Sequence, residues 1–289
     1  MKKVLLFLLL FPLATAAQTV KYRKYKRGNT FRYKLTSEIF RDGKFASRAI
    51  SISEHRVIND GGLLSEEIKW LTKKTYTVKD TLTLDSIARK VLPYKVSLSL
   101  YGKVLLPALS IPEMTGEITD LNTFYVAVSP ALNAHKLSNK KREIKNNEIR
   151  KGNFADGKEV LYGMDCMQVS QKLLSTDKQF SVIETRFSPP DEFCLDPLLD
   201  TIRQKTYQYS NNIQMIKENN GNTVNLFWGV EHFTITSKID KKSGQIVEAA
   251  MSNELQLRMR YNCSRDLKSY MSEIPMTINR ILKLEIIKQ

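Results

Sequence analysis

Three histidines, His55, His135 and His232, are the only side chains among the 289 residues whose ordinary pKa suits acid–base work near neutrality. His55 follows Glu54 and His232 follows Glu231, both in stretches that read as strands. Adjacent strand residues point to opposite faces, so neither glutamate orients the imidazole beside it. His135 reads as a solvated residue near a polar helix end. Asp165-Cys166 sets a carboxylate beside a thiol, whereas a reactive thiolate needs a positive neighbour. Asp191, Glu192, Asp196 and Asp200 offer oxygen ligands to Ca²⁺ but follow no known loop spacing, and Phe193, Cys194 and Leu195 between them read as packing residues. The chain carries no G-x-S-x-G elbow, H-E-x-x-H helix, phosphate loop or EF-hand loop. No residue is therefore assigned a catalytic, metal or cofactor role, and the expectation leans away from an enzyme.

The aromatic residues are more suggestive. Trp70, Phe124, Tyr125, Phe227, Trp228 and Phe233 are expected to line one interior between curved sheets and a helix, either filling it themselves or leaving room for an apolar ligand.

The elements that position these residues are mostly strands. Phe31, Tyr33 and Leu35 alternate with polar residues, Asp42-Gly43 makes a tight turn, and Ile50 and Ile52 share a face. After Asn59-Asp60-Gly61-Gly62, Glu66, Ile68 and Trp70 alternate against Glu67 and Lys69, completing a meander. Leu84, Ile87, Ala88 and Val91 predict a short helix, and Val96 to Leu106 a hairpin. A loop is expected over Pro107 to Gly116, then a helix capped by Asp120 that carries Leu121, Phe124, Tyr125 and Val128 on one stripe. A second short helix is expected from Pro130. From Glu159 onward strands return, with turns at Ser175 to Lys178 and at Lys242-Ser243-Gly244. The fold class is mainly β, with α+β as the variant: antiparallel sheets of long hairpins, curved or half-barrel-like, with two or three short helices.

Residues 1–17 read as a signal peptide, with Lys2 and Lys3, an apolar run to Leu13 and the small residues Ala14 to Ala17. No cysteine follows to take a lipid anchor, and no later run could span a bilayer. The mature chain is expected to be exported and soluble, periplasmic or extracellular. An N-terminal half (18–137) and a C-terminal half (138–289) are expected, as two associated units or one continuous domain, with Ser138 to Gly152 as the boundary or an exposed hairpin. Forty-five Lys+Arg against 30 Asp+Glu give +15, and loss of Lys2 and Lys3 leaves +13. Eleven basic and four acidic residues fall in Gln18 to Asp60, and seven and two in Lys136 to Lys151. Such fields attract lipid, lipopolysaccharide or acidic glycan surfaces, although lysines on strand faces also serve solubility and edge protection. Export makes nucleic acid a poor partner.

Cys166, Cys194 and Cys263 allow one internal disulfide. Cys166 and Cys263 both lie on or beside strands of the second half, so a Cys166–Cys263 bridge is expected if those strands are neighbours; otherwise all three pack as small apolar residues.

Gly116 to Tyr125, Ala155-Asp156-Gly157, Gly163-Met164-Asp165, Phe187-Ser188-Pro189-Pro190, Asn211-Asn212, Gly229 to Phe233 and Ala249 to Asn253 together resemble an uncharacterised family of exported bacterial proteins of unknown function. That resemblance spans roughly residues 95 to 287 and implies an exported, strand-rich fold without supplying an activity. It also implies a second cysteine soon after Cys263, where this chain reads Leu267-Lys268-Ser269-Tyr270. A looser, fold-level likeness is to periplasmic lipoprotein-carrier half-barrels. The function expected is a non-catalytic binding or structural component of the cell envelope that engages an apolar ligand or an anionic surface. The alternative is an exported hydrolase with no recognisable motif.

Overall fold

A computed structural model describes residues 23, 25–60, 63–97, 111–153, 160–195, 209–217, 223–264 and 266–287. The segment read as a signal peptide, most of the expected Val96 to Leu106 hairpin, Ala155 to Gly157, and Asp196 and Asp200 lie outside the described residues.

The first meander forms where alternation places it: β1 (Thr30–Arg41), β2 (Lys44–Asp60) and β3 (Leu63–Thr77). Asp42 and Gly43 both take positive φ, 48° and 74°, as a tight hairpin turn requires. Phe31, Tyr33 and Leu35 of β1 are buried. On β2 the face carrying Ile50 and Ile52 is the outer one, and Ser51, Ser53, His55 and Val57 point inward. Next come β4 (Thr81–Thr83), α1 (Asp85–Ala88), β5 (Tyr94–Ser97) and α2 (Pro112–Ala127).

Helix α2 starts earlier than its sequence suggests. Pro112 occupies the first turn, where a missing N–H costs nothing, so Gly116 and Asp120 fall inside the helix and Asp120 is buried rather than capping. Two 3-10 turns follow, Pro130–Leu132 and Ala134–Lys136. The remainder is β6 (Glu143–Asn153), β7 (Val160–Thr176), β8 (Phe180–Ser188), β9 (Asn212–Lys217), β10 (Val224–Asp240), β11 (Ile246–Cys263) and β12 (Ser272–Ile287). The polar stretch expected to separate the N- and C-terminal halves is thus largely the edge strand β6, which runs on past a register shift between Asn146 and Arg150.

Among the described residues the twelve strands form one curved, open, antiparallel sheet in the order β4-β3-β2-β1-β12-β11-β10-β8-β7-β6. β5 pairs with β3, and β9 lies between β10 and β7. Most neighbours are sequence neighbours, and β10 with β8, β5 with β3 and β9 with β7 skip only one strand. The long-range pairing is β1 with β12, a ten-residue register from Arg32↔Ile287 to Arg41↔Ile278 that joins the first and last strands.

The main core lies between α2 and the sheet, where Met114, Ile118, Leu121 and Phe124 meet Trp70, Tyr33, Ile235, Met251, Leu282 and Leu284. A second, smaller core forms where burial changes phase. On β10 the buried side chains include Val224, Leu226 and Trp228, then Glu231, Ile235, Ser237 and Ile239; β7 changes likewise between Cys166 and Met167. A three-residue step moves a side chain to the other face of a strand, so Trp228 joins Met164, Cys166, Ile213 and Cys263 rather than the α2 core. The expected single aromatic interior is therefore divided. Trp70, Phe124, Tyr125 and Phe233 share the α2 core, Trp228 lies in the second, and half-buried Phe227 belongs to neither.

The disulfide also departs from expectation. Cys166 is bonded to Cys194, with Cα atoms 6.1 Å apart, and Cys263 is a buried thiol in the same small core. β7 and β11 are not neighbours; β9 and β10 stand between them, which excludes a Cys166–Cys263 bridge. The bond ties the segment after β8 to β7, closing a 28-residue separation worth about 3–4 kcal/mol in the chain-entropy description. Phe193, expected to pack, is 43% exposed beside it.

Candidate functional site

The polar chemistry of this protein is inside it. Glu66 is in phase with Ile68 and Trp70 on β3, so the alternation that buries the two apolar residues buries the carboxyl as well, to 0% exposure. The register sets Val57 opposite Glu66 and His55 opposite Ile68, which makes His55 a diagonal neighbour of Glu66. His55 Nδ1 lies 3.1 Å from Glu66 Oε2, Tyr125 of α2 donates to the same oxygen at 2.7 Å, and Ser53 Oγ holds His55 Nε2 at 2.9 Å. Arg23 reaches Glu66 Oε1 at 3.5 Å with its guanidinium 4.0 Å from the Tyr125 ring centroid. Phe31 stacks on the imidazole and Tyr33 meets it edge-on.

Burial is the largest influence on Glu66 and pushes its pKa up. Arg23, then His55 and Tyr125, outweigh burial together, and the carboxyl ends below its ordinary range. Burial first, then the charge of Glu66, raise Tyr125 and Tyr33, which stay protonated donors. An acid and a base at hydrogen-bonding distance would suit hydrolysis, but neither His55 nor Glu66 exposes any side-chain surface. The group ties α2, β2 and β3 together through Tyr125, His55 and Glu66.

Helix α2 is fixed to the sheet at spaced polar points. Lys73 of β3 pairs with Glu117 at 2.7 Å, and Arg280 of β12 contacts both oxygens of Asp120 at 2.7 and 2.6 Å. At its C-terminal end the Ala127 carbonyl accepts from Gln171 (2.8 Å) and Thr185 (2.9 Å), satisfying a group the helix leaves open. Burial raises both Glu117 and Asp120 despite their cationic partners.

A third group surrounds Glu231 on β10. Asn253 of β11 donates to Oε1 at 2.7 Å and Asn212 of β9 donates to Oε2. Asn211 locks the adjoining backbone, accepting from the Glu231 N–H at 2.7 Å and donating to the Glu231 and Cys166 carbonyls at 3.0 Å. Burial, followed by the charge of Asp165, pushes Glu231 up to about 7. Two glycines permit this packing. A Cβ on Gly229 would lie 2.1 Å from the Gln256 carbonyl oxygen, and one on Gly152 would lie 2.0 Å from Asp165 Oδ1.

The residues singled out by sequence are scattered. His232 is exposed and faces Glu254 across the ladder at 3.5 Å, as its register pairing dictates. His135 sits in the second 3-10 turn, its pKa lowered by burial and Lys136. Asp191 and Glu192 are exposed. Among the described residues no three His, Cys, Asp or Glu side chains come together as metal ligands, and no helix is long and apolar enough to cross a membrane. The two basic segments are separate in the sheet: β1 and β2 on one side, β6 at the far edge, with β12, β11, β10, β8 and β7 between. Arg23, Glu66, Asp120, Arg280, Asn212 and Asn253 were not legible as site residues. The available signal was a charged or amide residue in phase with an apolar strand face, as at Glu66.

No family model matches this chain, and no curated protein does. Among solved structures, an in-vitro-folded trimer form of OmpT, an outer membrane protein of Vibrio cholerae, aligns over 91% of this chain and all of its own at 6% identity, with a TM-score of 0.22. A similarity that low carries no argument.

Proposed function

We propose that this chain is an exported, non-catalytic binding protein of the bacterial cell envelope that takes an apolar chain between α2 and the concave face of its sheet. The observation that carries this reading is how α2 is attached. Its fixed points are directional and spaced along it, at Glu113, Glu117, Asp120, Tyr125 and Ala127. Between them lie apolar and aromatic surfaces whose contact is non-directional. The ion pairs and hydrogen bonds can be exchanged for water one at a time, while the sheet behind keeps its own ladder. An acyl or alkyl chain would meet Trp70, Met251 and Leu282, once uncovered, as well as the helix does.

Export rests on the leader, and membership of the uncharacterised exported family rests on the resemblance of the segments between Gly116 and Asn253. The likeness to lipoprotein-carrier half-barrels points the same way as analogy alone. The anionic-surface version has less support. On the outer face of the central strands, cations are matched by glutamates: Arg32 by Glu54, Lys34 by Glu285, and Lys283 by Glu248 and Glu285. Titration with N-phenylnaphthylamine tests the proposal. Saturable fluorescence enhancement that n-octanol displaces is expected, and no enhancement by the folded protein overturns it.

A further inference from the structure

The interior beneath α2 holds more acid than base. Lys73 from β3, Arg280 from β12, Glu117 and Asp120 from α2, Glu231 from β10 and Asp165 from β7 influence one another there. Two cations thus face four carboxyls, and both cations are already engaged, Lys73 by Glu117 and Arg280 by Asp120. Glu231 shares Arg280 with Asp120 rather than having a cation to itself, and Asp165 adds a further acid beside it.

A second observation is independent of charge. Asn212 and Asn253, 0% and 2% exposed, turn their Nδ2 groups to Glu231, and each leaves a buried Oδ1 without a hydrogen-bond partner. Buried acceptors of this kind are costly and rare. The two amide oxygens lack donors and Glu231 only shares a cation, and an ammonium supplies both, with three N–H donors and no acceptor. Among the described residues no three His, Cys, Asp or Glu side chains gather here as a metal would need. The surroundings suit an alkyl tail: Phe233 and Met251 lie two residues along from Glu231 and Asn253 on the same strand faces, and Leu282 lies beside Arg280 in the same way.

We infer that the apolar ligand bears a primary ammonium head group, seated on Glu231 between Asn212 and Asn253. This rests on the proposed apolar-chain binding and adds the chemistry of the head. Calorimetric titration with octylamine, n-octanol and octanoate, each below its aggregation concentration, separates the two claims. Octylamine is expected to bind about tenfold more tightly than octanol, the gain of one charge-assisted contact, and octanoate the weakest. Glu231→Gln should bring octylamine to the octanol value and leave octanol unchanged. Equal binding of octylamine and octanol overturns the head group while the apolar site stands. Binding of none overturns the apolar site and the head group with it. Carboxyl ¹³C NMR of the unsubstituted protein serves if the variant fails to fold: octylamine should drive Glu231 to its ionised shift. An unchanged Glu231, staying a neutral acid that donates to an amide oxygen, overturns the inference.

Discussion

Glu66 and Glu231 are the same side chain, both on inward strand faces and both buried, yet the protein moves them in opposite directions. Glu66 is held below the ordinary glutamate range and Glu231 is pushed up to about 7. Burial penalises the charged form at both sites. At Glu66 a guanidinium, an imidazole and a phenol reverse the penalty; at Glu231 two amides and an arginine shared with Asp120 offset some of it and Asp165 adds to it. Partner charge, rather than burial, decides the protonation state of an interior acid.

The sharpest way to break this contrast is to remove the cation. Arg23→Met leaves Glu66 with only the imidazole and the phenol to set against burial and is expected to cost about 3–5 kcal/mol, the usual penalty for orphaning one member of a buried pair. Urea unfolding at pH 7 measures it. The double variant Arg23→Met/Glu66→Gln should recover much of the loss; if it is no more stable than the single variant, Arg23 acts by packing on Tyr125 instead.

The opposite pKa directions predict opposite pH dependences. Glu66, with its folded pKa below the ordinary value, contributes stability that is present above that value and lost as pH falls through the folded one. Glu231, with its folded pKa near 7 against an ordinary 4.5, contributes stability that is full below 4.5 and lost as pH rises through about 7. Glu231→Gln should therefore stabilise the protein by on the order of 2–3 kcal/mol above pH 7 and little near pH 4. Glu66→Gln should flatten only the acid side. Thermal unfolding of both variants from pH 2 to 8.5 checks this, and a common pH dependence for the two would remove the contrast.

The smallest effect tests the element linking the two sites. Gly116 lies inside α2, and a Cβ there would meet nothing within 4 Å. Gly116→Ala should stabilise by about 0.5–1 kcal/mol without altering either pH profile. Circular dichroism melts at pH 5 and 8 that shift in parallel would show that α2 stability and the charges are separable.

Much of the fold was legible because it is local. Alternation over Phe31, Tyr33 and Leu35, the Asp42-Gly43 turn and the Lys242 to Gly244 turn specify hairpins from neighbouring residues alone. The start of α2 was not legible because Pro112 and Gly116 look like loop residues, and burial of the helix against the sheet outweighs their propensities. Glu66 stood in the sequence in phase with Ile68 and Trp70, so its burial was readable; its partners were not, since Arg23 lies 43 residues away and Tyr125 lies 59 away.

By itself the sequence determined the antiparallel strand character and which residues of each strand share a face, because these depend on spacings of a few residues. Only the tertiary structure decided that β12 closes on β1, that Cys166 meets Cys194, that Trp228 leaves the core of Trp70, and which buried acid receives a cation. Those outcomes depend on strand order and on register across a long chain. A residue's face is a local property, but what it faces is set by the whole sheet.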